Sequence, residues 1–371
     1  MLKKHCGKVN GILFTLKYNL FFRRFVSRLK IEFPEKMVKI LDNTLRDGSY
    51  VVDFKFTSKD TAVIASKLDE ANIPFIEVGH GLGLHAGTRA DMKSAEPDEA
   101  HLEAAKSVVK KGKWGMFFIP GFGRIEDIEM AATYGMDFIR IGTNITEVAA
   151  SEPYIRRAKE LGMIVFANFM KTYVLSADEV GEKAALSASF GSDVVCVVDS
   201  AGGMMMEDVS GYFNAIKKRT NTKIGFHGHN NLGLAIANTL KAIELGAYVV
   251  DTSVRGLGRS AGNTNTEMLL MVLKRLGMNL DIDVMRLFDL AEEHIDPILK
   301  NYSQVDSIGI ISGYSSFHSS FQNKVMKYAA KYNVDPRLLI IKLTEHDKVN
   351  APDELLEKLA KSMAGAHRLT V

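Results

Sequence analysis

From Val38 onward, short runs rich in β-branched and aromatic residues alternate with amphipathic helical patterns, and the alternation occurs eight times. No other feature constrains the fold as strongly, because strands separated by helices pair in parallel and bury both faces of their sheet. The strand candidates are Lys39–Asp42, Phe75–Val78, Gly115–Ile119, Phe138–Ile141, Ile164–Asn168, Val194–Val198, Lys223–Phe226 and Val249–Ser253. The helices between them are Lys59–Ala71 with Ser58 as N-cap, Asp98–Lys110, Ile125–Tyr134, Val148–Leu161, Ala177–Phe190, Met206–Thr220 and Leu234–Leu245, and Thr264–Leu276 is the eighth. Gly162, Gly191 and Gly246 close three of them, as a left-handed C-terminal cap requires. Eight βα units in about 240 residues predict an α/β (β/α)8 TIM barrel, with its chemistry at the C-terminal ends of the strands. A doubly wound sheet would normally use fewer strands, and no Gly-x-Gly-x-x-Gly opens the first helix.

After Asp281 the strand pattern stops. Val284–Leu299 reads as a helix, Ser307–Tyr314 as a glycine-containing loop, and Ser319–Tyr332, Pro336–Leu343 and Pro352–Ser362 as further helices. The expected organisation is a basic extension over 1–36 outside the fold, a barrel over 37–281 and a smaller helical C-terminal domain over 282–371.

The net charge of +3 is a poor guide to the body of the protein. Residues 1–36 hold nine Lys/Arg against two Asp/Glu, so the rest is net acidic and nucleic acid is not an expected partner. The extension mixes Phe14, Leu20, Phe21 and Phe25 with Lys17, Arg23 and Arg24, and its apolar run is too short to span a membrane. It reads as an unstructured extension ahead of a start at Met37, with a targeting or membrane-surface segment as the alternative. Cys6 and Cys196 are too few for a disulfide framework, which points to a reducing cytoplasm. Met204-Met205-Met206 reads as packing at a helix start, and the lysines of Lys110-Lys111-Gly112-Lys113 as a solvated helix end.

Two segments carry the chemistry. Asn43-Thr-Leu-Arg-Asp-Gly-Ser-Tyr50 sets Arg46 and Asp47 at the end of the first strand. Gly225-Phe-His-Gly-His-Asn-Asn-Leu-Gly233 ends the seventh, and in extended chain His227 and His229 point to one side. Two imidazoles and the Asp47 carboxylate suit a divalent ion with positions left for a chelating substrate, whether Mn2+, Mg2+, Zn2+, Co2+ or iron. Arg46 beside that ion would stabilise negative charge developing on a substrate oxygen.

Asn43 to Gly48, His227 to Ala235 and Gly256-Leu-Gly-Arg-Ser-Ala-Gly-Asn263 together resemble the pyruvate-carboxyltransferase-like, or HMG-CoA lyase-like, metal-dependent TIM barrels. Within them the chain is similar to the 4-hydroxy-2-oxovalerate aldolases, through Glu77-Val-Gly-His-Gly81, Val198-Asp-Ser-Ala-Gly-Gly203 and Tyr314-Ser-Ser-Phe317. The resemblance, covering about Val38 to Met363, implies an aldolase that cleaves or forms a 4-hydroxy-2-oxoacid, giving pyruvate and an aldehyde through an enolate. It implies Asp47, His227 and His229 as metal ligands, with Mn2+ favoured, and Asn263 as a further ligand taken from the lyase branch. Arg46 becomes the enolate stabiliser, with Ser200 and Tyr314 as substrate contacts and Glu77 behind the ligands. It also implies a homo-oligomer, and an acylating aldehyde dehydrogenase as partner through the C-terminal domain.

The chain departs from that pattern at two places. Tyr50 stands where the aldolases keep a catalytic histidine three residues after the metal aspartate, and Ile310 where they can carry a tyrosine. A phenol with an ordinary pKa near 10 is a poor base at neutral pH. Tyr50 is kept with Arg46 and His80 among the candidate catalytic residues, but the proton acceptor is expected elsewhere, in His80, in His85 or in a hydroxide on the metal. Cys196 lies inside a strand rather than at the position of the lyases' catalytic cysteine. The alternatives are a Claisen-type condensation of an acyl-CoA with a 2-oxoacid, as in isopropylmalate synthase, and a non-catalytic barrel.

Overall fold

The computed structural model describes residues 38–299 and 307–364; the expected extension over 1–36, Met37 and the side chain of Ile310 lie outside the described residues. Eight parallel strands close into a barrel in chain order: β1 Lys39–Asp42, β2 Phe75–Val78, β3 Lys113–Phe118, β4 Phe138–Asn144, β5 Ile164–Met170, β6 Val194–Asp199, β7 Lys223–Gly228 and β8 Val249–Thr252. The pairing of β1 with β8, Ile40 opposite Val250, completes the ring. Eight helices surround it: α1 Ser58–Glu70, α2 Asp98–Val108, α3 Ile125–Thr133, α4 Glu152–Glu160, α5 Ala177–Phe190, α6 Met206–Arg219, α7 Ala235–Glu244 and α8 Thr266–Arg275. The TIM barrel expected from the alternation is the observed fold.

Local chemistry sets the element ends. Thr57, one residue before the expected Ser58, caps α1, because its hydroxyl accepts from the Asp60 N–H while the Asp60 carboxylate accepts from the Thr57 N–H. The helix expected from Val148 begins instead at Glu152 after a 3-10 stretch over Ile145–Ser151, because Pro153 suits a helix start and has no N–H to give further in. Gly162, Gly191 and Gly246 have φ of 82°, 109° and 80°, which fits their role in ending helices.

Side chains of a strand alternate between the barrel interior and the helical layer. Leu41, Phe75, Phe138, Phe166, Val194 and Val249 form an apolar layer inside, with the rings of Phe75, Phe138 and Phe166 edge-on at 5.5–5.6 Å. Two residues further along three of these strands come Glu77, Arg140 and Asp251. A charged layer thus sits directly above an aromatic one, facing the mouth.

Past the barrel, α9 Val284–Leu290 continues as a π-helical turn over Ala291–Ile295, so the helix expected to run to Leu299 is shorter. Leu287, Leu290 and Ile295 join the barrel's core, and Asp283 N–H donates to Ala71 O at 3.0 Å. A separate core is built by Phe317, just after α10 Ser307–Ser315, with Val325, Leu339, Leu343 and Leu356 from α11 Gln322–Tyr332, α12 Pro336–His346 and α13 Asp353–Met363, and Ile308 and Ile311 of α10 pack against it. On this packing we propose that the two units divide after Leu299.

Ser307–Tyr314, expected to be a loop, lies in the helix α10. Its glycines permit close contact with the barrel instead of breaking the helix. A Cβ on Gly313 would lie 2.9 Å from Asn231 Cβ and from Leu232 Cγ, and Asn231 Nδ2 donates to Gly309 O at 2.9 Å. Local propensity disfavours glycine in a helix by only about 1 kcal/mol, which such a contact can offset. Gly313→Val should therefore overpack this junction and destabilise the protein by about 1–3 kcal/mol, read from the urea denaturation midpoint.

Candidate active site

Asp47, His227 and His229 meet at the barrel mouth. Asp47 opens the 3-10 turn after β1, with its N–H donating to Asn43 O at 2.8 Å; His227 lies on β7 and His229 just beyond it. All three are buried, and their ligand atoms lie within 4.8 Å of one another. Among the described residues this is the one group of His, Cys, Asp or Glu side chains with metal-holding geometry.

The hydrogen bonds behind the imidazoles decide which nitrogens face inward. His227 Nδ1 lies 2.9 Å from Asp251 Oδ2, so it carries the proton and donates. The Asn43 amide is also near, at 3.3 Å, but the shorter contact to a carboxylate governs the tautomer. His229 Nδ1 donates to Gly262 O at 3.2 Å. Both Nε2 atoms therefore present lone pairs, 3.4 Å apart, which is unfavourable without a cation between them. Arg259 Nη2 meets the His229 lone pair at 2.9 Å, a cationic contact of the kind a metal would make. Asn263 Nδ2 donates to Asp47 Oδ2 at 2.9 Å, while Asn263 Oδ1 is buried without a partner. The residues present therefore fit a divalent ion.

Charge balance extends around the barrel wall. Arg46 donates from Nη1 to Asp47 Oδ1 at 2.5 Å and from Nε to Glu77 Oε2 at 2.9 Å. The same Glu77 oxygen accepts from Arg140 Nη1 at 2.9 Å, and Arg140 Nη2 donates to Asp251 Oδ2, the oxygen that holds His227. Burial raises the pKa of Asp251, but Arg140 and His227 outweigh it and hold the carboxyl below the usual range. Burial likewise opposes ionisation of Asp47, and Arg46, the two histidines and Arg259 overcome it. Both carboxylates are thus ionised at neutral pH. Arg140 and Asp251 had escaped the reading of the sequence, although a charge within Phe138-Ile-Arg-Ile and within Val249-Val-Asp at the inward period was the available signal. Arg259 sat inside a quoted motif without a role.

The other expected site residues divide. Ser200 lines the cavity over the cluster; its Oγ accepts from Lys171 N–H at 2.9 Å, leaving its own proton to donate. Tyr50 lines the same cavity, but burial pushes its pKa up to about 12, and its ring packs edge-on to Phe54. His80 does not reach the cavity. Its Nε2 donates to Met92 O at 2.9 Å, its Nδ1 accepts from Leu82 N–H at 3.1 Å, and its ring stacks on Phe54, so neither nitrogen is left for substrate. His85 pairs with Asp127 at 3.4 Å outside that cavity. Tyr314 points to solvent at 64% exposure, because the helical turn that packs Gly313 on the barrel turns its neighbour outward. From that part of the chain His318 and Ser320 line the cavity instead. Cys196 is fully buried and its thiol is pushed up to about 12, so it is inert.

A closed parallel barrel with two histidines and an aspartate converging at its C-terminal face is the architecture of a metal-dependent (β/α)8 enzyme. The HMGL-like family model matches residues 37–293. The chain is 40% identical over 337 residues to the 4-hydroxy-2-oxovalerate aldolase of Geobacillus thermodenitrificans, covering 91% of this chain and 98% of that one. It is 39% identical to the enzyme of that name from Carboxydothermus hydrogenoformans, covering 90% and 99%. The chain therefore belongs to the HMGL-like family, and within it to the family of the 4-hydroxy-2-oxovalerate aldolases. Among solved structures, the carboxyl transferase domain of Rhizobium etli pyruvate carboxylase shares the fold at a TM-score of 0.70 and 17% identity, over 89% of this chain and 60% of that one. The Bacillus subtilis HMG-CoA lyase shares it at 0.61 and 17%, over 72% and 95%.

Two outcomes follow from this geometry. Asp251→Asn removes the charge that fixes the His227 tautomer and should weaken Mn2+ binding by about 10–100-fold in calorimetric titration. Tyr50→Phe should lower turnover by less than about tenfold, against the roughly 10²–10⁴-fold of a lost general base, and should remove one phenol from the part of the 295 nm absorbance titration that rises near pH 12, where Tyr212 also ionises.

Proposed function

We propose that this enzyme is a carbon–carbon lyase that cleaves a 4-hydroxy-2-oxoacid to pyruvate and an aldehyde, and forms it in reverse. The observation that carries the reading is the convergence of Asp47, His227 and His229 with Arg46 held against them. A divalent ion held there supplies Lewis acidity and a fixed point for the carboxylate and keto oxygens of the substrate. Arg46 is immobilised through Nε and Nη1 and lies 4.7 Å from the Phe117 ring, which leaves Nη2 to donate to the oxygen that becomes negative as the enolate forms. Its charge is preorganised by Glu77 and needs no rearrangement during the reaction. The Ser200 hydroxyl donates to the substrate carboxylate.

Mn2+ is the favoured ion. Two imidazoles, a carboxylate and the free Asn263 oxygen, plus two substrate oxygens, make a mixed six-donor set. Mg2+ prefers oxygen alone and structural Zn2+ prefers four ligands. Among the described residues no helix is long and apolar enough to cross a membrane. The reading includes a reducing cytoplasm, a homo-oligomer and an acylating aldehyde dehydrogenase docked on the C-terminal helices, where Tyr314 and Met326 are exposed.

Chelation should abolish pyruvate release from 4-hydroxy-2-oxovalerate, and Mn2+ should restore it. Arg46→Ala should lower kcat by about 10²–10³-fold while Mn2+ still binds. Cleavage that survives both metal removal and Arg46→Ala would rule this function out.

A further inference from the structure

The cavity over Asp47, His227 and His229 adjoins a larger one of about 780 Å³, and Tyr50, Leu82, Ile119, Met170 and Arg259 line both. A substrate held by its 2-oxo end at the cluster therefore carries its aldehyde half toward the larger space. That volume lies in the range that receives drug-sized ligands, about 300–1,000 Å³, and far exceeds what a two-carbon aldehyde fills. The charges on its wall indicate what the rest of the aldehyde carries.

Arg46 and Arg140 are each held between two carboxylates. Arg259 and Lys171 are not: among the described residues, neither side chain makes an ion pair. The Arg259 guanidinium donates to His229 Nε2, Ser200 O and Ser319 Oγ, all of them uncharged. His229 Nε2 cannot serve Arg259 and a metal ion together, so one guanidinium N–H is left over in the filled site. Lys171 is 6% exposed; its Nζ gives one hydrogen to Val349 O at 2.7 Å and lies 5.1 Å from the Phe321 ring, which leaves two hydrogens to donate. Glu147 and Asp347, the carboxylates that act on Lys171, stand beyond ion-pair distance. Burial pulls the Lys171 pKa below the usual lysine value, with Glu147 opposing and Arg259 adding to it. A buried cation without a counter-charge is costly, and these two stand on one cavity. Asp53, Asp91 and Glu147 line the cavity as well, but all three are exposed, so water screens them.

We propose that the larger cavity takes an aldehyde bearing an anionic group, a carboxylate or a phosphate, bound by Lys171 and Arg259. The proposal rests on the aldolase reading above and names its aldehyde class. Lys171 lines the larger cavity and not the one over the cluster, so this anion is distinct from the 2-oxoacid carboxylate that Ser200 receives. Arg259 lines both and stands where the two spaces meet. His318 Nδ1 accepts from the Ser320 N–H at 3.2 Å, so its neutral ring carries the proton on Nε2 and adds a donor to the same wall. An anion there supplies the missing counter-charge through charge-assisted hydrogen bonds, and it holds the aldehyde by its far end. The aldehyde carbon is thereby oriented toward the enolate at the cluster.

The test is condensation with pyruvate in the presence of Mn2+, using aldehydes paired for size: succinate semialdehyde against its methyl ester, and glyceraldehyde 3-phosphate against glyceraldehyde. The anionic member of at least one pair should exceed its neutral partner in kcat/KM by roughly 10–100-fold, mainly through a lower KM. A preference confined to the first pair identifies a carboxylate, and one confined to the second a phosphate. Lys171→Met should remove most of the preference, and Lys171→Arg, which keeps the charge, should retain most of it. Neutral members used as well as the anionic ones in both pairs overturn the assignment, as does a preference that survives Lys171→Met. The wild-type comparison decides the matter even where Lys171→Met does not fold. Wild-type protein that condenses none of these aldehydes, nor acetaldehyde, overturns the aldolase reading and the assignment with it.

Discussion

The barrel mouth depends on one buried guanidinium. Arg140 has no exposure to solvent and stands above the aromatic layer, where an unpaired charge would cost several kcal/mol. Glu77 and Asp251 neutralise it from opposite sides, and each passes its remaining capacity to a working group: Glu77 to Arg46, Asp251 to His227. One side chain from β4 thereby sets the orientation of groups from β1 and β7. A buried ion pair is weak support for stability as such, but removing one member leaves its partners as uncompensated charges. The arrangement contributes fixed geometry, which a site that must stabilise a transient enolate requires.

The second dependence is on the C-terminal helices. Their own apolar core holds the turn at His318, and their contacts with the barrel fall around the site: Val349 O accepts from Lys171 Nζ at 2.7 Å, Gly309 O from Asn231, and Ser319 Oγ from Arg259. Lys171 is in the left-handed region, with φ of 57°, and is almost fully buried, and its backbone N–H holds Ser200. The loop that positions the Ser200 hydroxyl is thus stitched to the helical unit. The barrel supplies the charge-stabilising half of the site, and the helices close its outer side.

Much of this was legible in one dimension. Eight strand positions follow from hydrophobic periodicity because each strand is buried on both faces and is punctuated by glycine or a cap. Asp47, His227 and His229 were legible because strand ends in a parallel barrel all open on one face, so a motif at such an end has a known destination. His80 and Tyr314 were misread because a motif letter does not say where its side chain goes: His80 turned back onto the loop at Leu82 and Met92, and Tyr314 went outward once its helix had packed. The helix over Ser307–Ser315 was hidden by glycines whose purpose is a contact with residues at 231 and 232, far away along the chain.

By itself, the amino-acid sequence determined the barrel, the meeting of Asp47, His227 and His229 at its mouth and the presence of Arg46 beside them. These depend on local periodicity and on the fixed polarity of βα units, both of which are properties of short segments. The tertiary structure alone decided that Arg140 and Asp251 complete the charge balance, that Tyr50 packs against Phe54, and that His318 lines the cavity. Those outcomes arise from burial and from distances between residues brought together by the closed ring and the helices packed on its mouth. The strength of a charge, the pKa of a group and the direction of a ring are set by surroundings drawn from several elements at once, so no single segment encodes them.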